Sequence, residues 1–142
     1  VDLEDFRRQA GVEQGLVVVA TARADGSIQS TVVNAGVMDH PVTGVPVVAF
    51  VAGGPVKLGN LRQRPWTAVT VRSGWRWVTV EGSAELAGPD DPLAGVDQVP
   101  ALLRAVFTAA GGTHDDWAEY DAVMARERRA AVLVTPGRVY GV

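Results

Sequence analysis

Gly53-Gly54-Pro55-Val56-Lys57-Leu58-Gly59-Asn60-Leu61-Arg62-Gln63-Arg64-Pro65 reads as a glycine-rich bend that turns into one short helix. The β-branched run Val45 to Val51 ends in this bend, a helix follows over Val56 to Arg64, and Pro65 stops it. The first amides of a helix have no partner within it, so free N–H groups gather where an anion can sit. Lys57, the only lysine of the chain, brings positive charge to that point. Asn60, one turn on, can donate or accept from the same face. The same spacing also allows a solvated turn with a lysine reaching out to water.

Working outward, hairpins dominate. Leu16 to Arg23 and Ile28 to Val37 are strand-like, and Ala24-Asp25-Gly26-Ser27 is the turn between them. Pro41 to Gly44 marks a second turn, before Val45. After Pro65 come strands over Thr67 to Arg72 and Trp75 to Leu86, separated by Ser73-Gly74. At the start of the chain, Asp2 to Ala10 has acids early and Arg7 and Arg8 late, a helix that Gly11 stops.

Pro89 to Asp97 is a polar connection. Pro100 then opens an amphipathic helix through Leu102, Leu103, Val106, Phe107 and Ala110, ended by Gly111-Gly112. Thr113 with Asp116 resembles a capping box for a further helix through Trp117, Tyr120, Met124 and Arg128. The last strand covers Ala130 to Thr135 and Arg138 to Val142, bent at Pro136-Gly137. Such an order favours a mainly β fold with added helices, a barrel or sandwich, over a doubly wound parallel sheet. No repeat or second domain is visible, so residues 1–142 read as one domain.

Composition narrows the chemistry. Hydrophobic residues make 47% of the 142 and charged residues 20%, as in a folded domain. There is no cysteine, which removes disulfides and thiolate chemistry together. A net charge of -3 argues against nucleic acid. No apolar run approaches the roughly 20 residues that cross a bilayer, so no membrane span and a cytoplasmic location are expected. His40 and His114 lack metal-ligand spacing, so no metal site is assigned. Neither a Gly-x-Ser-x-Gly elbow, a Walker loop nor a Gly-x-Gly-x-x-Gly fingerprint occurs. Asp90-Asp91 and Asp115-Asp116 read as solvated acids near helix starts. A chain with no evident acid, base or nucleophile can still be an enzyme when a cofactor does the chemistry.

The pattern Lys57-x-x-Asn60-Leu61-Arg62-x-x-Pro65, followed by a strand, resembles the split-barrel flavin/deazaflavin oxidoreductases related to pyridoxamine 5′-phosphate oxidase. Thr21 to Ser27 is similar to the first hairpin of that family, Val78 to Leu86 to its long central strand, and Val132 to Gly141 to its closing strand. The resemblance runs from about residue 12 to the end. It implies an FMN-binding-like split β-barrel, a homodimer, and cofactor clefts between subunits. Within the family the chain looks most similar to actinobacterial members that use the deazaflavin coenzyme F420 instead of FMN.

Carried over by position, the resemblance implies that Lys57 and Asn60 hold the phosphate-bearing tail and that the backbone near Leu61 closes the cradle. Gln29, Ser30 and Thr31 would face the ring system. Trp77 would reach in from the partner subunit, although Trp75 and Trp77, read as one strand face, could equally be interface packing. The implied activity is hydride transfer between reduced F420 and a small organic acceptor. The alternatives are an FMN-dependent oxidase or flavin reductase, or a non-catalytic binder of cofactor, haem or lipid.

The chain departs from the family pattern before the lysine. An arginine usually stands there, whereas this chain has Pro55 and Val56. Losing a charge-assisted phosphate contact costs about 1.5–3 kcal/mol, unless Arg62 or Arg64 reaches round. Asn34 stands where the family often has an aromatic residue, which implies a more polar cleft.

Overall fold

Valine-rich antiparallel segments build the frame. The computed structural model describes residues 1–142, with the elements α1 (Leu3–Val12), β1 (Leu16–Ala22), β2 (Ile28–Asp39), β3 (Pro46–Ala52), α2 (Pro55–Gln63), β4 (Trp66–Ser73), β5 (Arg76–Ala87), α3 (Val99–Ala109), α4 (Trp117–Arg126) and β6 (Ala130–Gly141). The strands close into an antiparallel barrel in the order β1-β2-β3-β6-β5-β4. No helix is long and apolar enough to cross a membrane.

Alternation fills the barrel. Val17 and Val19, Val69 and Val71, Val78 and Val80, Val48 and Phe50, and Val132 and Val134 all enter one core, which Phe6 and Ala10 of α1 close at one end. Each fully buried valine contributes about 1.5–3 kcal/mol relative to exposure. The alternate residues of β3 and β6, Val47, Ala49, Ala131 and Leu133, form a second core with Leu102, Leu103, Val106 and Tyr120 of α3 and α4. Burial on both faces explains why these two strands read as unbroken apolar runs instead of alternating ones.

The barrel is split along part of β2. Its residues Ile28 to Asn34 pair with β1, and only Ala35 to Asp39 pair with β3. Ala35 donates its N–H to the Gly15 carbonyl at 2.8 Å. By alternation Val33, Thr31 and Gln29 also point their backbone groups at β1, so those of Ser30, Val32 and Asn34 point into the split.

Several local expectations are corrected. Gly11 does not stop α1, which runs to Val12. The helix ends where Gln14 adopts a left-handed φ of 57° and the Gly15 amide reaches back to the Ala10 carbonyl at 2.8 Å. Trp75 lies in the β4–β5 turn and is 96% exposed, so it shares no strand face with Trp77. Thr113 caps nothing; Asp116 is the N-cap of α4 and accepts from the Glu119 amide at 3.1 Å. Asp90 and Asp91 follow β5, not a helix start, and pair with Arg128 and Arg62. The expected bend of the last strand at Pro136-Gly137 is present, as an irregularity of β6 opposite Glu81 and Gly82. There a Cβ on Gly82 would stand 1.8 Å from the Thr135 carbonyl oxygen, so only glycine fits. His40, in the loop after β2, is buried. Its Nε2 donates to Glu85 at 3.0 Å while Nδ1 accepts the amides of Val42 and Thr43.

Candidate functional site

The split opens into a cavity of about 690 Å³ between β2, the end of β3 and the α3–α4 pair. Val32, Val33 and Asn34 line one side and Val106, Phe107, Tyr120 and Met124 form the roof. Gly53, Gly54, Lys57 and Arg129 make one end. No carboxylate and no histidine lines it.

Lys57 is brought there by α2. Gly54 is the N-cap without a side-chain cap, and Pro55 occupies the first turn. Leu58 makes the first return bond, to the Gly54 carbonyl at 3.1 Å, so the amides of Val56 and Lys57 precede the intrahelical ladder. The Lys57 side chain is only 8% exposed. Burial pushes its ammonium below the usual lysine range, and the Arg129 guanidinium pushes it further; no carboxylate opposes them.

Arg129 arrives from the far end of the chain. Arg128 takes a left-handed φ of 51° after α4. The Arg128 amide returns to the Ala125 carbonyl at 3.1 Å and the Arg129 amide to that of Met124 at 3.0 Å. This paired closure of a helix normally uses glycine at the left-handed position. Here Asp90 holds the Arg128 guanidinium from two sides, at 2.9 and 2.5 Å. Arg129 itself pairs with Glu127 at 3.0 Å.

The roof is aromatic. Phe107 lies 5.0 Å from Tyr120 and edge-on to Trp117 at 6.0 Å, centroid to centroid. The Tyr120 hydroxyl donates to the Leu103 carbonyl at 3.1 Å, locking α4 to α3. Gln14 and Asn34 meet at the opposite rim, where the Asn34 amide donates to the Gln14 carbonyl at 3.0 Å.

Of the residues assigned to the cofactor from the sequence, Lys57 alone lines this cavity, together with the Gly53-Gly54 bend and with Asn34, which was expected to make the cleft more polar. Asn60 is buried behind it. Its amide donates to Thr21 Oγ1 at 3.0 Å, Thr21 Oγ1 donates to Gln29 Oε1 at 3.2 Å, and Arg64 donates to Asn60 Oδ1 at 3.3 Å. Asn60 and Gln29 are therefore joined through Thr21. Leu61 belongs to the barrel core. Ser30 is exposed on the outer face of β2, and the buried Thr31 hydroxyl has no hydrogen-bond partner. Trp77 stands on β5, edge-on to Tyr140 at 6.0 Å. Arg62 is committed to Asp91 at 2.8 and 2.7 Å, and Arg64 to the Ala22 carbonyl at 2.8 Å. Neither replaces the arginine missing before Lys57. Arg129, Phe107, Tyr120 and Met124 went unnoticed as site residues, and no local spacing ties them to Lys57.

Beside the split, the outer face of β1, β2, β4 and β5 carries exposed apolar side chains. Val18 lies opposite Val32 and Thr70, and Leu16 and Trp66 extend the patch. Glu81 sits within it, accepting from the Tyr140 hydroxyl and from Trp66 Nε1. Those bonds, Tyr140 first, hold its carboxyl below the usual range.

A family model for pyridoxamine 5′-phosphate oxidase matches residues 3–142. Among solved structures, an F420 reductase is similar at 19% identity and a TM-score of 0.60, with 88% of each chain covered. A pyridoxamine 5′-phosphate oxidase-related, FMN binding protein from Nostoc punctiforme is similar at 14% identity and a TM-score of 0.63, covering 96% of this chain and 78% of that one. A heme binding protein from Mycobacterium smegmatis is similar at 19% identity and a TM-score of 0.63, covering 96% of this chain and 52% of that one. The family match, spanning every strand of the closed barrel, identifies this chain as a member of the pyridoxamine 5′-phosphate oxidase family.

Proposed function

We propose that this protein is an oxidoreductase that moves a hydride between reduced coenzyme F420 and a small organic acceptor, and that it works as a homodimer. The observation that carries this reading is Lys57, a buried ammonium without a carboxylate partner, facing a cavity beside a free strand edge. A buried unpaired cation is costly unless an anion joins it. The residues fit a phosphate-bearing ring cofactor in three respects. Lys57 and the open first turn of α2 suit the phosphate, the backbone groups of Ser30, Val32 and Asn34 suit a ring edge, and Phe107 and Tyr120 suit a flat apolar face.

When bound, the cofactor supplies the hydride chemistry. The chain's part is to grip, orient and exclude water. Lys57 neutralises the tail, and Asn60 acts as a positioning residue that fixes α2 against β1 through Thr21. Leu61 anchors the same helix in the core. Gln29 and Thr31 set the strand whose opposite edge, at Ser30, lies open for the ring. The apolar patch around Val18 and Val32 adjoins the cavity through Val32, so a second copy docked there would stand at its rim. Trp77, on the same sheet face, is the side chain we assign to reach toward the partner's ligand.

The test is to titrate the purified protein separately with F420, FMN and haem, following fluorescence or absorbance. Reduced cofactor is then offered organic acceptors. Tight F420 binding with acceptor-dependent reoxidation is the expected result. FMN binding with turnover moves the protein to the flavin branch of the same fold, and haem binding without turnover makes it a carrier.

A further inference from the structure

We infer that Arg129 supplies the second positive charge of the anion site, replacing the arginine that is absent before Lys57. The ligand class this pair selects is a phosphate ester or phosphodiester with a flat body. The inference rests on the cofactor reading above for the identity of that body, but not for the anion.

Three observations support it. First, Gly53 and Arg129 interlock. A Cβ at Gly53 would stand 2.8 Å from Arg129 Nε and 2.9 Å from its Cδ, so the guanidinium stem lies in the space that a side chain at position 53 would take. Arg129 is thereby laid against the same bend from which Lys57 enters the cavity.

Second, the backbone is strained to put it there. Gln14 and Arg128 are the only non-glycine residues with a left-handed φ. Gln14 lines the cavity, and Arg128 directly precedes a residue that does. Strain of this kind survives where the surroundings hold it and is often found at functional sites. The two hydrogen bonds that Arg128 donates to Asp90 are that hold.

Third, the charges are unbalanced. Arg129 pushes the Lys57 ammonium toward its neutral form, yet no acid on the cavity wall separates the two cations. Glu127, the one partner of Arg129, is exposed and does not line the cavity. An anion received by both groups turns their repulsion into joint attraction, and a guanidinium can take two phosphate oxygens at once.

The experiment compares FMN with riboflavin, which differ only in phosphate, and F420 with the deazaflavin core that lacks its whole phosphodiester-linked tail. Inorganic pyrophosphate is titrated as a third probe. Affinities are measured by fluorescence and calorimetry for the wild type, Arg129→Gln, Arg129→Lys and Lys57→Gln, with circular dichroism to verify folding. The wild type is expected to prefer the phosphate-bearing member of at least one pair. Arg129→Gln should lose about 10- to 100-fold of that affinity, with the phosphate-free member unchanged, and Arg129→Lys should restore part of it. If Arg129→Gln keeps the full phosphate preference while Lys57→Gln loses it, the inference is overturned and the cofactor reading stands. If no ring compound binds but pyrophosphate binds through Arg129, the cofactor reading falls and the anion site stands. If neither phosphate nor pyrophosphate is favoured by the wild type, the inference is overturned.

Discussion

The side-chain amide of Asn60 donates to Thr21 Oγ1 at 3.0 Å, joining α2 to β1 behind the cavity and not inside it. Both residues are buried. Asn60→Ala therefore removes one of the two hydrogen bonds of the Thr21 hydroxyl, which keeps Gln29, and one Arg64 contact, and a stability loss of about 1–3 kcal/mol is expected in urea denaturation. The ratio of affinities for phosphate-bearing and phosphate-free ligands should stay as in the wild type. A collapse of that ratio without loss of stability would make Asn60 a direct ligand instead.

Gly53→Ala forces the Arg129 side chain aside, since the new methyl meets Nε and Cδ closer than real contacts allow. The guanidinium stem is flexible and partly exposed, so folding should change by less than about 1 kcal/mol. Phosphate-ester binding should weaken. Calorimetry on this variant, beside a thermal melt, separates the two effects.

Lys57→Met should raise the melting temperature of the unliganded protein by a few degrees and remove its stabilisation by phosphate-bearing ligands. The sign follows from the lowered lysine value. Below the depressed folded value the ammonium is charged in both folded and unfolded chains, and the folded chain bears the cost of burial and of Arg129. As pH climbs through the depressed folded value toward the ordinary 10.5, the folded chain gives up its proton first and that cost is relieved. The advantage of Lys57→Met should thus be largest near neutrality and shrink in alkali. Denaturation curves from about pH 7 to 10.5 check this; an advantage that grows with pH contradicts it.

Val18→Asp places a charge in the apolar patch of β1, where the side chain is 43% exposed and contributes little to the barrel core. The variant should fold and run as a monomer by light scattering while the wild type runs as a dimer. A wild-type monomer that binds cofactor tightly would remove the shared-site reading.

Most of the barrel could be read from residue order because its signals are local. Ala24-Asp25-Gly26-Ser27 and Ser73-Gly74 are turns by their own chemistry, and the double-sided burial of β3 and β6 wrote itself as runs of valine and alanine. Misread points are those where a distant group decides. Gly11 stays helical because the chain reverses only at Gln14, and Thr113 loses the cap to Asp116. Lys57 was found because its charge and its glycine-rich bend are neighbours in sequence. Arg129 was not, because it stands 72 positions after Lys57 in the chain and only barrel closure beside β3 brings the two together. Likewise the hydrogen bonds that draw Asn60 away from the cavity run to Thr21, on another element.

The roof helices rest on a hydrophobic layer of their own, outside the strands they cover. Phe107 and Met124 can therefore be exchanged by drift or by design while the valine interior keeps the molecule folded. In the proposed enzyme, selection for a new acceptor could act on the lid without rebuilding the vessel, and the proposed anion clamp would stay in place.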